Sequence, residues 1–345
     1  MLISARHPDL LLSRDLAALG LDDARLRDAC RRGELVRVRR GAYVEAGRWA
    51  ALGIEERYRL TVVAAAASCR TRVLVSHVSA AVLHGLTLVG APPRLVHVLV
   101  PPAGGSRQEH GFAKHACHDH DRPDALDVDG VHVTPLDATL VDVCLTEPFV
   151  RAVVMTDHAL HQGAVTLESL ATEFARRGTR RGSRKVAAVL EFATPLAHRP
   201  LESISRVGFR LLGLPDPVLQ HPLFDETGRR VAIVDNWWPG FGVVGESDGR
   251  VKYTDPEMMA GRTTAQVLID EKDREDDIRA LPEVRGFARW GWDVALDVRR
   301  LGPVLARAGV VPLGPPRRAS PPSTVENDRP ASTKSPVPAP GGPAR

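Results

Sequence analysis

The sequence predicts a mixed α/β chain of more than one domain. Helical periodicity and strand-like alternation occupy separate blocks along its 345 residues. At roughly 150 residues per domain, that length accommodates two or three units. A hydrophobic fraction of 43% is ordinary for a globular chain, so each unit can bury a core.

The first block spans about fifty residues. Ser13 precedes RDLAALG, where its hydroxyl can cap a short helix that Gly20 ends. Asp22 then caps DDARLRDACRRGEL, in which Leu26, Ala29 and Cys30 recur at helical spacing. LVRVRRGAYVEA alternates around a turn at Arg40–Gly41 and predicts a two-stranded wing. Helix, turn, helix, basic hairpin is the order of a winged helix. In that architecture the second helix enters the major groove of duplex DNA and the wing follows the backbone. Residues 25–48 hold eight arginines against Asp28, Glu34 and Glu45, a local excess larger than the net charge of +4 of the whole chain. Clustered arginines are the electrostatic footprint of phosphate contact. Arg25, Arg27, Arg31 and Arg32 are the candidates on the helix, and Arg37, Arg39 and Arg40 on the wing. A second run, RRGTRRGSRK at 176–185, holds six cations and no anion, and reads either as a phosphate contact or as a solvated helix face.

In the middle block, helices are expected over 55–67 and 73–87, with Ser76 or Ser79 near the start of the second. LVHVLVP, FAKHACH and GVHVTPL follow as β-like runs. Residues 139–194 read as helices broken near Gly163, Gly178 and Gly182 and closed by Pro195 and Pro200. His115, Cys117, His118 and His120, with Asp119 and Asp121, are metal-ligand types. No second cluster stands at zinc-site spacing, so simple alternation is the expected reading.

From about residue 200 the order becomes helix (LESISRVGFRLLGL), three strands (VLQHPLF, RRVAIVDNWW, FGVVGESDG), charged helix (KDREDDIRAL) and closing strand (ARWGWDVALDV). Trp237 and Trp238, beside a Pro-Gly turn, are expected to cover the sheet edge. Residues 314–345 include nine prolines and no periodicity, which predicts disorder. The expected division is 1–50, 51–195, 196–300 and the tail 314–345.

The third block also carries acids. Asp235 closes one strand and Glu246 lies on the next. Glu246 and Asp248 are two apart, so an extended segment presents both on one face. The WWPGFG connection would bring Asp235 opposite them. Gathered carboxylates repel unless a cation sits among them. Mg²⁺ suits hard oxygen ligands and can activate water and neutralise charge on a phosphate. Glu202, on the preceding helix, would supply a further oxygen, and Lys252 would stabilise transition-state charge.

The run Asp235…Glu246-Ser-Asp248-Gly…Lys252 on consecutive strands resembles the PD-(D/E)XK restriction-endonuclease fold, in its very-short-patch-repair-like branch. The resemblance implies a three-layer α/β domain, Mg²⁺-dependent cleavage of DNA, and family acidic positions at Glu202, Asp235, Glu246 and Asp248. That motif carries lysine two residues after its second acid, where this chain has Asp248. RLRDACRRGELVRVRRGAYV, followed by SHVSAAVLHGL, resembles the winged-helix domain of AbiEi-type antitoxins. This second resemblance implies operator binding, autoregulation and a cognate toxin partner. Two readings stay open. In one, an antitoxin-like transcriptional regulator carries an endonuclease. In the other, the nuclease-like domain is inactive and serves protein contact, with a toxin or a second copy in a homodimer. Four scattered cysteines suit a reduced cytoplasm. The most apolar stretch, Leu60–Ala67, is far short of the roughly 20 residues that cross a membrane.

Overall fold

A computed structural model describes residues 9–17, 23–118, 121–248 and 264–312. Gly20, Asp22, Asp119, His120, Lys252 and the tail 314–345 lie outside the described residues.

The N-terminal elements are β1 (Leu11–Leu12), α1 (Ser13–Ala17), α2 (Asp23–Arg31), β2 (Leu35–Arg39) and β3 (Ala42–Glu45). Their strands form an antiparallel sheet in the order β1-β3-β2, the winged-helix arrangement. The β2–β3 turn at Arg40–Gly41 depends on Gly41 at φ 77°, a left-handed conformation that glycine adopts without a Cβ clash. Strand alternation then gives the sheet two buried faces. Leu11 and Tyr43 meet Leu16 and Leu26 beneath the two helices. Leu12, Ala42 and Val44 turn the other way, into the main core with Tyr58, Val62 and Val63. The wing is therefore seated on the middle of the protein, and on α2 the one fully buried side chain is Leu26.

After α3 (Ala46–Ala51) and α4 (Ile54–Ala67) come β4 (Leu74–Val75), α5 (His77–Leu83), β5 (Val96–Val100), β6 (Arg107–Glu109), β7 (Phe112–Ala116), β8 (Leu126–Val128) and β9 (Val131–Val133). They make a six-stranded mixed sheet in the order β6-β7-β5-β4-β9-β8. Two of its hairpins close through two-residue turns, His110–Gly111 and Asp129–Gly130, with φ positive at all four residues. This is the turn geometry that matches strand twist. The helix expected over 73–87 divides: Leu74 and Val75 pair as strand, and the helix starts after Ser76. A two-residue strand has too few positions to register as alternation. α6 (Leu136–Thr146), α7 (Phe149–His161), α8 (Leu167–Arg176) and α9 (Ser183–Phe192) complete this block.

The last block comprises α10 (Pro200–Leu211), β10 (Val218–Phe224), β11 (Arg230–Trp238), β12 (Val243–Ser247), α11 (Thr264–Arg279), β13 (Gly286–Trp290), α12 (Trp292–Ala295) and α13 (Val298–Ala308). The sheet order is β10-β11-β12-β13, antiparallel except for the parallel β12–β13 pair. One face packs Trp238 and Trp290 edge-on around Phe209, with ring centroids 5.1 and 5.7 Å away, against Leu201, Leu301 and Leu305. The other packs Val234, Trp237 and Val244 against Ile278 of α11. Trp237 and Trp238 thus enter the two cores on opposite faces rather than covering an edge. Gly245 is required here, because a Cβ would lie 2.8 Å from both Trp238 and Trp290. The expected closing strand ends at Trp290; beyond Gly291 the chain turns into α12 and α13, which cover the first core.

Candidate functional site

The first candidate surface is α2 with its wing. Arg25, Arg27 and Arg31 are all exposed. Arg31 pairs with Asp28, and Arg32 pairs with Glu34 at 2.7 Å. Exposed pairs of this kind are screened by solvent and contribute little to stability, so such an arginine can exchange its partner for phosphate. Arg27, Arg37 and Arg40 come together with Arg14 in a cleft of about 430 Å³ between α2, the wing and the end of α4. Arg39 goes elsewhere. Its Nη2 donates to the His110 carbonyl at 2.6 Å and its guanidinium lies 4.4 Å from the Phe112 ring centroid. The divergence of Arg37 and Arg39 has a local cause. Two residues apart on a regular strand they would share a face, but the β2–β3 register shifts between them, and a bulge re-aims the side chain that follows.

The second candidate surface is the carboxylate group of the C-terminal sheet, which divides into two. Asp235 Oδ2 accepts from the Ser247 backbone N–H at 2.9 Å and from its hydroxyl at 3.0 Å. Glu202 is buried nearby, accepting from His198 N at 3.0 Å and from Gln220 Nε2 at 3.1 Å. Burial, reinforced by the charge of Asp235, pushes the Glu202 carboxyl up to about 7. Gln220 reaches it from a position opposite the Asp235 region, where φ is 48°. Glu246 has different neighbours: Arg274 of α11 at 2.7 Å and Arg289 of β13 at 3.2 Å. Glu246 and Arg289 are register partners on parallel strands, so their side chains emerge on one face. The charge of Asp248 is also felt at Arg289. Among the described residues no three His, Cys, Asp or Glu side chains gather as a metal-holding group. Glu202 and Asp235 form one acidic pair, while Glu246 is neutralised by two arginines. Among the described residues this donor set is short of a Mg²⁺ site.

Sequence reasoning missed the histidine cluster of the middle sheet. His115 Nε2 lies 3.0 Å from His97 Nδ1, and the His115 ring stacks on His77 with centroids 3.7 Å apart. The Ser76 hydroxyl is 2.9 Å from His77 Nδ1, and Asp142 Oδ2 is 3.7 Å from the same atom. Asp142 is paired with Arg177, which also binds Glu173 at 2.7 Å. His97, at the start of β5, gave no cue beyond ordinary alternation, and only the parallel pairing of β5 with β7 brings it to His115. Burial, then the neighbouring His115, holds His97 down at about 4. The unfolded value is about 6.5, so His97 favours the fold above pH 6.5, and that contribution is lost as pH falls toward 4. Between pH 7 and pH 4.5 the wild type is expected to lose about 2–3 kcal/mol more than His97→Gln, at 1.36 kcal/mol per pH unit. Urea denaturation at both pH values checks this, and equal losses would remove His97 as the cause. The second basic run is likewise internal in part: Arg176 and Arg177 hold Glu173, and Arg180 holds Asp121 at 3.3 Å.

Residues 1–46 match the family model described as "Transcriptional regulator, AbiEi antitoxin". That segment holds α1, α2 and the wing. No curated protein matches the chain. Among solved structures, the RV2827C protein from Mycobacterium tuberculosis is similar at 18% identity over 53% of this chain and 72% of that chain, with a TM-score of 0.34. No described helix is long and apolar enough to cross a membrane.

Proposed function

We propose that this protein binds duplex DNA through α2 and its wing and acts as an antitoxin-like transcriptional regulator in the cytoplasm. The observation that carries the reading is the presentation of α2. Its single buried anchor is Leu26, its arginines are exposed, and it lies within the segment that matches the antitoxin regulator family. A helix so presented can enter a major groove while the wing meets phosphate. A cognate toxin belongs to the same reading as the protein partner. The test is duplex affinity against salt. Each neutralised phosphate contributes a slope of about −0.9, so a plot of log affinity against log salt should fall with a slope of about −3 or steeper. A flat plot would reject the reading.

A second reading, cleavage of DNA by the C-terminal sheet, is supported by the Glu202–Asp235 pair. An acid buried beside another acid disfavours the fold whenever it is ionised, and such groups concentrate at functional sites. The folded carboxyl of Glu202 titrates at about 7, above its unfolded value of about 4.3, so its penalty grows as pH rises through that window. Glu202→Gln is therefore expected to be more stable than wild type by about 1–3 kcal/mol at pH 8, and no more stable at pH 4. Thermal melts at the two pH values measure this, and a less stable variant at pH 8 would assign Glu202 a purely structural role. The activity itself is tested by incubating plasmid with Mg²⁺ or Mn²⁺. Nicking by the wild type that Asp235→Ala loses would support an endonuclease; intact plasmid would leave the domain as a contact surface for a toxin or a second copy.

A further inference from the structure

The cleft between α2, the wing and the end of α4 is walled chiefly by positive charge. Arg14, Arg27, Arg37 and Arg40 share its walls with one carboxylate, Asp23. Arg14 is held in place by the carbonyl of Ala67 at 3.0 Å, and it pairs loosely with Asp15 at 3.6 Å. Arg27, Arg37 and Arg40 have no side-chain hydrogen bond or ion pair among the described residues, in a chain where most other arginines do. The four arginines arrive from α1, α2, β2 and the β2–β3 turn, and Ser68 adds a hydroxyl just past the end of α4. Like charges brought together in a concave wall focus a strong field and favour an anion within it. Planar guanidinium forks match the oxygens of phosphate two at a time.

We propose that this cleft, on the wing side of α2, is a phosphate-binding site. The phosphate can belong to the DNA backbone or to a free phosphate-bearing small molecule. The first source rests on the DNA-binding reading and the second does not. Either ligand supplies the counter-charge that Arg27, Arg37 and Arg40 lack.

The experiment uses the full chain and inorganic pyrophosphate, titrated calorimetrically at low salt, against the double variant Arg14→Ala, Arg40→Ala and the control Arg300→Ala. Both cleft residues are on the surface, and a thermal melt confirms that the double variant remains folded. One pyrophosphate per chain is expected, bound at least tenfold more weakly by the double variant and equally well by the control. Absence of saturable binding, or equal binding by the double variant, overturns the proposal. Adding duplex then separates the sources. Displacement of pyrophosphate assigns the cleft to the DNA backbone, and simultaneous binding assigns it to a free ligand. The titration itself contains no DNA. Its failure with duplex binding intact rejects the cleft alone, whereas pyrophosphate binding without duplex binding rejects the regulator alone.

Discussion

Arg27→Ala combined with Arg31→Ala is expected to weaken duplex binding about 30- to 150-fold, or roughly 2–3 kcal/mol, and to flatten the salt slope by about 2. The two residues are one helical turn apart and share a side of α2, away from Leu26. Arg31 is tied to Asp28 by an exposed pair, and breaking such a pair costs little compared with gaining a phosphate. Arg39→Ala is the informative contrast. Its guanidinium is committed to Phe112 and the His110 carbonyl, so its loss should leave the salt slope unchanged and lower thermal stability modestly. Fluorescence anisotropy with a labelled duplex at four salt concentrations measures all three proteins. If Arg39→Ala abolished binding while the helix variant bound normally, the wing's underside rather than α2 would be the DNA surface.

Asp157→Ala is expected to cost the fold about 3–5 kcal/mol. Asp157 is wholly buried on α7, where its carboxylate accepts from Arg206 at 2.9 Å, from the Ser203 hydroxyl at 2.8 Å and from Thr194 N at 2.8 Å. It thus joins the middle block to α10, the first element of the C-terminal block. Burial lifts its carboxyl to about 6 against the pull of Arg206, so the pair adds little net stability. The loss arises because truncation strands Arg206, itself largely buried over Phe192. Asp157→Ala with Arg206→Met should accordingly be much less damaged than Asp157→Ala alone. Urea denaturation of the two variants tests this. If the double variant were as unstable as the single one, the cost would lie in the lost bonds to Ser203 and Thr194.

Local sequence was a good guide wherever a side chain's role depends on its immediate neighbours. The order of α1, α2 and the β2–β3 hairpin follows from helical spacing at Leu26, Ala29 and Cys30 and from a glycine turn at Gly41. The three antiparallel strands after α10 follow from alternation and turn residues. The Asp129–Gly130 hairpin went unread although a D-G pair is a turn signal, because its three-residue strands show almost no alternation.

The sequence by itself determined the order of the longer helices and strands, though not the short strands β1, β4, β6 and β8, helix α3 or the closing helices α12 and α13, together with the basic character of the N-terminal hairpin and the presence of acids along the last sheet. Only the tertiary structure decided which of those charges act together. A one-residue shift in β2 separates Arg37 from Arg39, register beside β13 gives Glu246 to Arg289 and Arg274, and helix packing brings Glu202 to Asp235. The reason is physical. Secondary structure follows from interactions a few residues apart, whereas the partner of a charge is fixed by strand register and by the packing of elements remote in sequence, to which local periodicity is blind.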